Sequence, residues 1–325
     1  MRRAILLIAI VFSWAWAGAA QAQANCNLSG SSTTIDFGAV NPLLPADTYN
    51  NGGLIDVNCS GLYFTTRICI SLEIGNTSPS IAARAMGNGV YRMNYNLYTD
   101  AGYTTVWGDA TTSPPTSQVL NVLGNGSIMV PIYAKLPGGQ TSVSTVGNVD
   151  TQYLETYGGV SARVDVETGL LFFGAFTNCP LSSPDTTLSI PLTVKALVQK
   201  NCTISATNLV FPAQGVLTVP VPGSSQISVQ CTNNNAYSLA LNGGTVGGNV
   251  LARKMKHSTA ADTVSYQLYQ GANYAIVWGD ASGGSPKTGL GSGTVQNHTV
   301  YGRVPAQTTP RPGSYSDTVT ATITF

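Results

Sequence analysis

"YNLYTDAGYTTVWGDA" at residues 95–110 and "YQLYQGANYAIVWGDA" at residues 266–281 agree at ten of sixteen positions without a gap. The match extends outward. "IYAKLP" (132–137) aligns with "VYGRVP" (300–305), Asn25-Cys26 with Asn201-Cys202, Cys59 with Cys231, and "VSARVDV" (160–166) with "VTATITF" (319–325). A unit of well over 100 residues that occurs twice, at 25–166 and at 201–325, describes two homologous domains rather than a solenoid. Stretches such as "TVSYQLY", "IMVPIYAKL" and "DTVTATITF" alternate or are rich in β-branched and aromatic residues, with Gly, Asn and Pro clusters between them. Helix signals are nearly absent. The chain therefore reads as all-β, with two sandwich domains.

The first residues set the compartment. Arg2-Arg3 precedes an apolar run from Ala4 to Ala17 broken only by Ser13, and Ala20-Gln21-Ala22 and Ala22-Gln23-Ala24 both fit a small-x-small cleavage site. Residues 1–24 read as a secretory signal peptide. The six cysteines all follow it, and an even count after export predicts three disulfides. Repeat phase pairs Cys26 with Cys59 and Cys202 with Cys231, while Cys69 and Cys179, without counterparts in the second copy, are left to pair with each other. None has the spacing of a zinc site. With 9% charged residues and a net charge of +1, no basic face for nucleic acid or acidic membranes is indicated.

Catalytic chemistry has little to stand on. The two histidines, His257 and His298, lack partner motifs, and no G-x-S-x-G, H-E-x-x-H or paired-carboxylate pattern occurs. The Trp-Gly-Asp triplets (107–109, 278–280) recur in both copies, which favours a structural turn. No catalytic residue, metal or cofactor is expected.

The Asn-Cys start, the second Cys before a strand, "LY……Y..VWGDA", "YxKLP/YGRVP" and the closing "YSDTVTATITF" resemble the spore coat protein U-like domain, strongly over 201–325 and more loosely over 25–166. The resemblance implies immunoglobulin-like sandwiches of archaic (Csu-type) chaperone–usher pili, each completed by a strand lent by a neighbouring subunit. It implies a periplasmic chaperone, an outer-membrane usher and an adjacent pilin as partners, with export to the periplasm and then to the cell surface.

Strand accounting separates the two copies. In "TLSIPLTVKALVQ" (187–199), Leu188, Ile190, Leu192, Val194, Ala196 and Val198 alternate with mostly polar residues, as in a half-buried strand. Pro191, on the outward phase, limits this strand to an edge position. The alternative is an interdomain linker. Read as a strand, it gives the domain at 25–199 its own final strand. The domain at 200–325 stops at the matching phase, and its last strand, carrying Val319, Ala321, Ile323 and Phe325, is expected to meet a strand supplied from outside. The short segment before Cys26 leaves nothing to lend, so the expected place is the distal tip of a fibre.

One stretch resists a core assignment: "GLLFFGAFTNC" (169–179), an insertion that the second copy lacks. Leu170, Leu171, Phe172, Phe173 and Phe176, with Leu62, Tyr63 and Phe64 after Cys59 and with Val119 and Leu120, are candidates for exposed apolar loops that bind hydrophobic abiotic or host surfaces. The competing assignments are core residues of the first domain, a lectin-like tip for host glycans, and a purely structural secreted coat protein.

Overall fold

The computed structural model describes residues 25–62, 65–109, 116–121, 124–169, 179 and 184–325; the expected signal peptide lies outside them. Among the described residues no helix is long and apolar enough to cross a membrane, and every regular element is a strand.

In the N-terminal half these are β1 (Asn25–Asn27), β2 (Thr34–Val40), β3 (Thr48–Leu62), β4 (Thr65–Leu72), β5 (Ala85–Asn88), β6 (Tyr91–Asn94) and β7 (Asn96–Tyr98). They continue as β8 (Thr116–Asn121), β9 (Gly124–Leu136), β10 (Thr151–Thr156), β11 (Ala162–Gly169), β12 (Thr186–Ser189) and β13 (Thr193–Val198). The C-terminal half has β14 (Cys202–Ala206), β15 (Val221–Cys231), β16 (Ala236–Leu241), β17 (Lys254–His257) and β18 (Thr263–Ser265). It ends with β19 (Gln267–Tyr269), β20 (Lys287–Leu290), β21 (Gln296–Val304), β22 (Tyr315–Ser316) and β23 (Ala321–Thr324).

The sheets of the first half run β1-β3-β9-β7, β2-β13-β10-β5-β6 and β12-β11-β4-β8. Those of the second run β14-β15-β21-β19, β20-β16-β23 and β18-β17-β22. Each half encloses its own apolar core. Period-2 alternation drives this: along β9, Val130, Ile132, Ala134 and Leu136 turn inward, and Met129, Pro131, Tyr133 and Lys135 turn out. The two halves share a plan, but β2, β12 and β13 have no strand counterpart in the second.

Three disulfides join Cys26 to Cys59, Cys69 to Cys179 and Cys202 to Cys231. The first and third staple the opening strand of each half to β3 and β15, where the cysteines are direct cross-strand partners.

The repeated Trp-Gly-Asp turn is structural. Trp107 and Trp278 are fully buried, and their indole Nε1 groups donate to the carbonyls of Ile70 (3.0 Å) and Leu239 (2.8 Å). A buried arginine holds each turn from behind. Arg84 donates to the carbonyls of Leu72 (2.5 Å), Glu73 (3.0 Å) and Trp107 (2.7 Å) and to Asn96 Oδ1 (2.7 Å). Arg253 donates to those of Leu241 (2.9 Å), Asn242 (2.9 Å) and Trp278 (2.9 Å) and to Gln267 Oε1 (2.5 Å). A guanidinium suits this place because its planar fork satisfies several converging acceptors at once.

The halves meet at a polar joint. Thr145 N donates to Asn233 O (2.9 Å), Asn233 Nδ2 to Ser144 Oγ (2.8 Å), Asn234 Nδ2 to Thr145 O (3.0 Å) and Ala236 N to Asn148 Oδ1 (2.8 Å). Asn148 and Asn234 both sit at positive φ (57° and 61°), a conformation asparagine tolerates better than most residues.

Replacing Arg84 by Met would take the guanidinium donors from three carbonyls, those of Leu72, Glu73 and Trp107, at about 1–3 kcal/mol each, while Asn96 Oδ1 keeps the Leu97 amide. The expected result is a loss of about 3 kcal/mol or more in the denaturant unfolding free energy of the N-terminal half. A loss below about 1 kcal/mol would show that the guanidinium network contributes no net stability.

Candidate functional site

The segment 187–199 forms two strands on two sheets. β12 pairs with β11 (Leu188 opposite Val164), and β13 lies between β2 and β10, parallel to the former and antiparallel to the latter. Ile190, Leu192, Val194, Ala196 and Val198 are at most 2% exposed, and Leu188 packs against the same core. This corrects the expectation of an edge position: β13 is an interior strand. Pro191 is tolerated because it falls in the exposed crossover between β12 and β13, where no ladder bond needs its missing N–H.

The corresponding place in the second half is open. A cavity of about 510 Å³ lies between residues 206–211 and 315–321, floored by Ile227, Leu241, Leu268 and Val300 and flanked by Met255 and Tyr266. The strand β11 is paired on both sides, by β4 and β12, whereas its repeat counterpart β23 pairs only with β16. Burial follows: Ala162, Val164 and Val166 are fully buried, but the matching Ala321 and Ile323 are only partly so, and Phe325 is 37% exposed.

The opposite wall shows the same deficit. Leu209 and Phe211 match Ile35 and Phe37 of β2 and lean on the second core, yet residues 207–220 form no strand. In the first half β2 is held by parallel pairing with β13; without such a partner, this segment has nothing to ladder against. Glycines make room beneath it: a Cβ on Gly302 would lie 2.7 Å from Leu209 Cδ1 and 3.0 Å from Phe211 Cζ.

The wall at 315–319 is fixed from behind. The Asp317 carboxylate accepts from the amides of Thr245 (2.9 Å) and Val246 (3.1 Å) and from the Tyr266 hydroxyl (2.7 Å). Burial first, and that bond to Asp317 next, push the Tyr266 hydroxyl well above its usual range, so it stays a donor. Glu155 and Tyr95 form the matching pair in the first half. His257 accepts the amides of Thr259 and Ala260 at Nδ1 (3.1 Å each) and contacts Pro312 O through Nε2 (3.2 Å), tying the loop before β22 to β17. It is a satisfied structural histidine.

Of the residues assigned to assembly from sequence, Val319 and Ala321 line the cavity. Ile323 packs beside it on the core, and Phe325 lies at the strand end, where its main-chain oxygen accepts from Lys200 Nζ (3.0 Å). Sequence reasoning missed Leu209, Phe211, Met255, Tyr315 and Asp317. The match of Leu209-Val210-Phe211 to Ile35-Asp36-Phe37 carried the signal for the first two.

Among the apolar candidates, Tyr63, Phe64, Leu170, Leu171, Phe172, Phe173 and Phe176 lie outside the described residues. Leu62, Val119 and Leu120 are strand rather than loop residues, in β3 and β8. The roots of all three stretches converge: Gly169 pairs with Thr65, Thr65 with Asn121, and Leu62 with Gly124. Cys179 is bonded to Cys69 of the same sheet. The 13-residue β9 starts at this end and finishes toward the joint, about 40 Å away at roughly 3.3 Å per residue.

Protein U of Myxococcus xanthus is 38% identical over 115 residues, 34% of this chain, and the chain spans 63% of that relative's length. In the CsuC–CsuE chaperone–tip adhesion subunit pre-assembly complex of Acinetobacter baumannii, one chain matches with a TM-score of 0.52 at 18% identity, over 93% of this chain and 100% of that one. The CupB6 tip adhesin of Pseudomonas aeruginosa gives a TM-score of 0.37 at 11% identity, over 92% of this chain and 93% of that one. The model of the Spore Coat Protein U domain matches residues 14–152 and again 188–322. With most of its length covered by two matches to that model, the chain belongs to the Spore Coat Protein U domain family and carries the domain in two copies.

Proposed function

We propose that this chain is the tip adhesin of a chaperone–usher pilus, with a self-complete adhesive domain at 25–199 and a strand-accepting pilin domain at 200–325. One observation carries the reading: the place that residues 186–198 fill in the first copy is, in the second, an open cavity floored by Ile227, Leu241, Leu268 and Val300, with a wall strand unpaired on one edge. Unpaired backbone groups beside an open core favour addition of a strand. The adjacent pilin supplies it in the fibre, and a periplasmic chaperone covers the groove before delivery to an outer-membrane usher. The fold likeness to one chain of the CsuC–CsuE chaperone–tip adhesion subunit pre-assembly complex supports this order. No step calls for a catalytic group or cofactor.

The adhesive end is the pole formed by the adjoining ends of β3, β4, β8 and β11, remote from the joint. There Leu170 to Phe176, Tyr63 and Phe64 meet hydrophobic abiotic or host surfaces and support biofilm formation. At about 25 cal/mol per Å², a few such side chains contribute several kcal/mol per tip before entropy costs, and many pili multiply it.

Appending residues 186–199 after Phe325 through a flexible Gly/Ser linker tests the acceptor. Several buried aliphatic side chains at about 1.5–3 kcal/mol each should raise the unfolding midpoint of the C-terminal half by about 10 °C or more. The same graft with its inward positions changed to Ser should give no rise. Equal midpoints for both grafts would refute the strand-acceptor reading.

The adhesive pole is tested by changing Leu171, Phe172 and Phe173 to Ser. Adhesion to hydrophobic plastic should fall about tenfold or more, while electron microscopy shows normal piliation. Loss of the pili would assign these residues to the core, where such changes cost several kcal/mol each. Normal piliation with undiminished adhesion would exclude them from the adhesive surface.

A further inference from the structure

The reading of the second copy as a strand acceptor leaves open which strands it accepts. In the first copy the inward face of β13 supplies the apolar filling, and its outward face carries a second kind of information. Lys195 pairs in register with Asp36 of β2 on one side and Leu154 of β10 on the other. Its Nζ lies 3.1 Å from Asp36 Oδ2. The Asp36 carboxyl is held below its ordinary range, first by the amide of Gly38 and then, against the opposing effect of burial, by Lys195, so it is an anion ready to meet that lysine.

The same lane in the second copy is built differently. Val210 is flanked by the inward-leaning Leu209 and Phe211 as Asp36 is by Ile35 and Phe37, and by that pattern it is matched to Asp36; it is 73% exposed. Two equivalences fix the other side. Tyr153 matches Tyr315, and the Tyr95–Glu155 pair matches Tyr266–Asp317, so Leu154 corresponds to Ser316. Beyond Leu154 the first copy has Gly87 in register, whereas beyond Ser316 the second has Lys256. An arriving strand thus finds an uncovered valine instead of a carboxylate. It also finds a cation two strands away, about 10 Å at the usual spacing, which is about one screening length at 0.1 M salt.

We propose that Val210, with Lys256 behind it, is a selectivity element of the acceptor groove: the partner strand carries an aliphatic, β-branched residue at the outward position where the chain's own strand has Lys195. The partner is a strand with the inward pattern of 186–198 and no cation at that point. The element discriminates the neighbouring subunit's strand from the chain's own final strand, which Asp36 marks for the first copy. Cross-strand pairs and exposed ion pairs have modest strength, so the preference is a bias of several-fold, added to the inward fit.

The test uses the full chain with the 186–199 graft after Phe325, in four forms. The graft residue copying Lys195 is Lys or Val, and residue 210 is Val or Asp (Val210→Asp). Val210 is exposed, so its change to Asp leaves the core intact, and comparing grafts within each background cancels its general effect. With Val at 210, the Val graft should give an unfolding equilibrium constant about two- to five-fold smaller than the Lys graft. With Asp at 210 the order should reverse, and that reversal should shrink in 1 M NaCl. Grafts that stabilise equally in both backgrounds, or keep the same order in both, would overturn the selectivity element while leaving the strand-acceptor reading standing. If no graft stabilises the C-terminal half, the acceptor reading fails and the selectivity element falls with it.

Discussion

The structure depends on one requirement: a strand must lie between two walls that cannot close on each other. In the first copy β13 bonds β2 on one side and β10 on the other, and with the crossover that leads into it from β12 it fills the core with Ile190, Leu192, Val194, Ala196 and Val198. Its contribution is therefore both polar and apolar. It satisfies the backbone groups of two neighbours and covers the core between them. Where the second copy lacks it, both effects vanish together: one wall forms no strand, the other is unpaired on one edge, and the side chains between are partly exposed.

Two copies in one chain separate what the sandwich needs from what each copy does. The buried arginine, the Trp-Gly-Asp turn it supports, the tyrosine–carboxylate pair and the opening disulfide recur almost atom for atom. They hold strands that contribute to different sheets, and either copy would lose its shape without them. The differences gather elsewhere, at the insertion 169–186 with its private disulfide and at the lane containing Asp36 in one copy and Val210 in the other.

Much of this was legible in the sequence because it is written in period 2. The alternation through Leu188 to Val198 identified the strand, and the gapless match around Trp107 and Trp278 identified the duplication. The crossover at Pro191 was not legible, because alternation continues unbroken when a strand passes from one sheet to the next. The groove walls at Met255, Tyr315 and Asp317 were hidden for another reason: they are brought together by pairing between distant strands, with no local pattern to mark them. Arg84 and Arg253 stand in a shared Ala-Arg-x-Met context, but charge alone suggested surface rather than a fully buried fork. Val119 and Leu120 lie in the middle of β8, where an apolar run reads equally well as a loop or as a strand.

The strand that completes the first copy ends at Val198, and after three intervening residues the chain enters the second copy at Cys202, where the disulfide to Cys231 anchors it. A tensile load passing between the two copies must travel through it. Its ladder bonds to β2 and β10 lie across the line of pull, so they are loaded in shear and give way as a set, whereas a hairpin peeled from its end would lose them in turn. The joint at Asn233 and Thr145 would part under a smaller force and let the copies swing before the strand itself is strained. The chain thus has a weak contact in parallel with a stiff tether, an arrangement in which the contact yields to a sudden tug and the tether holds under a sustained one.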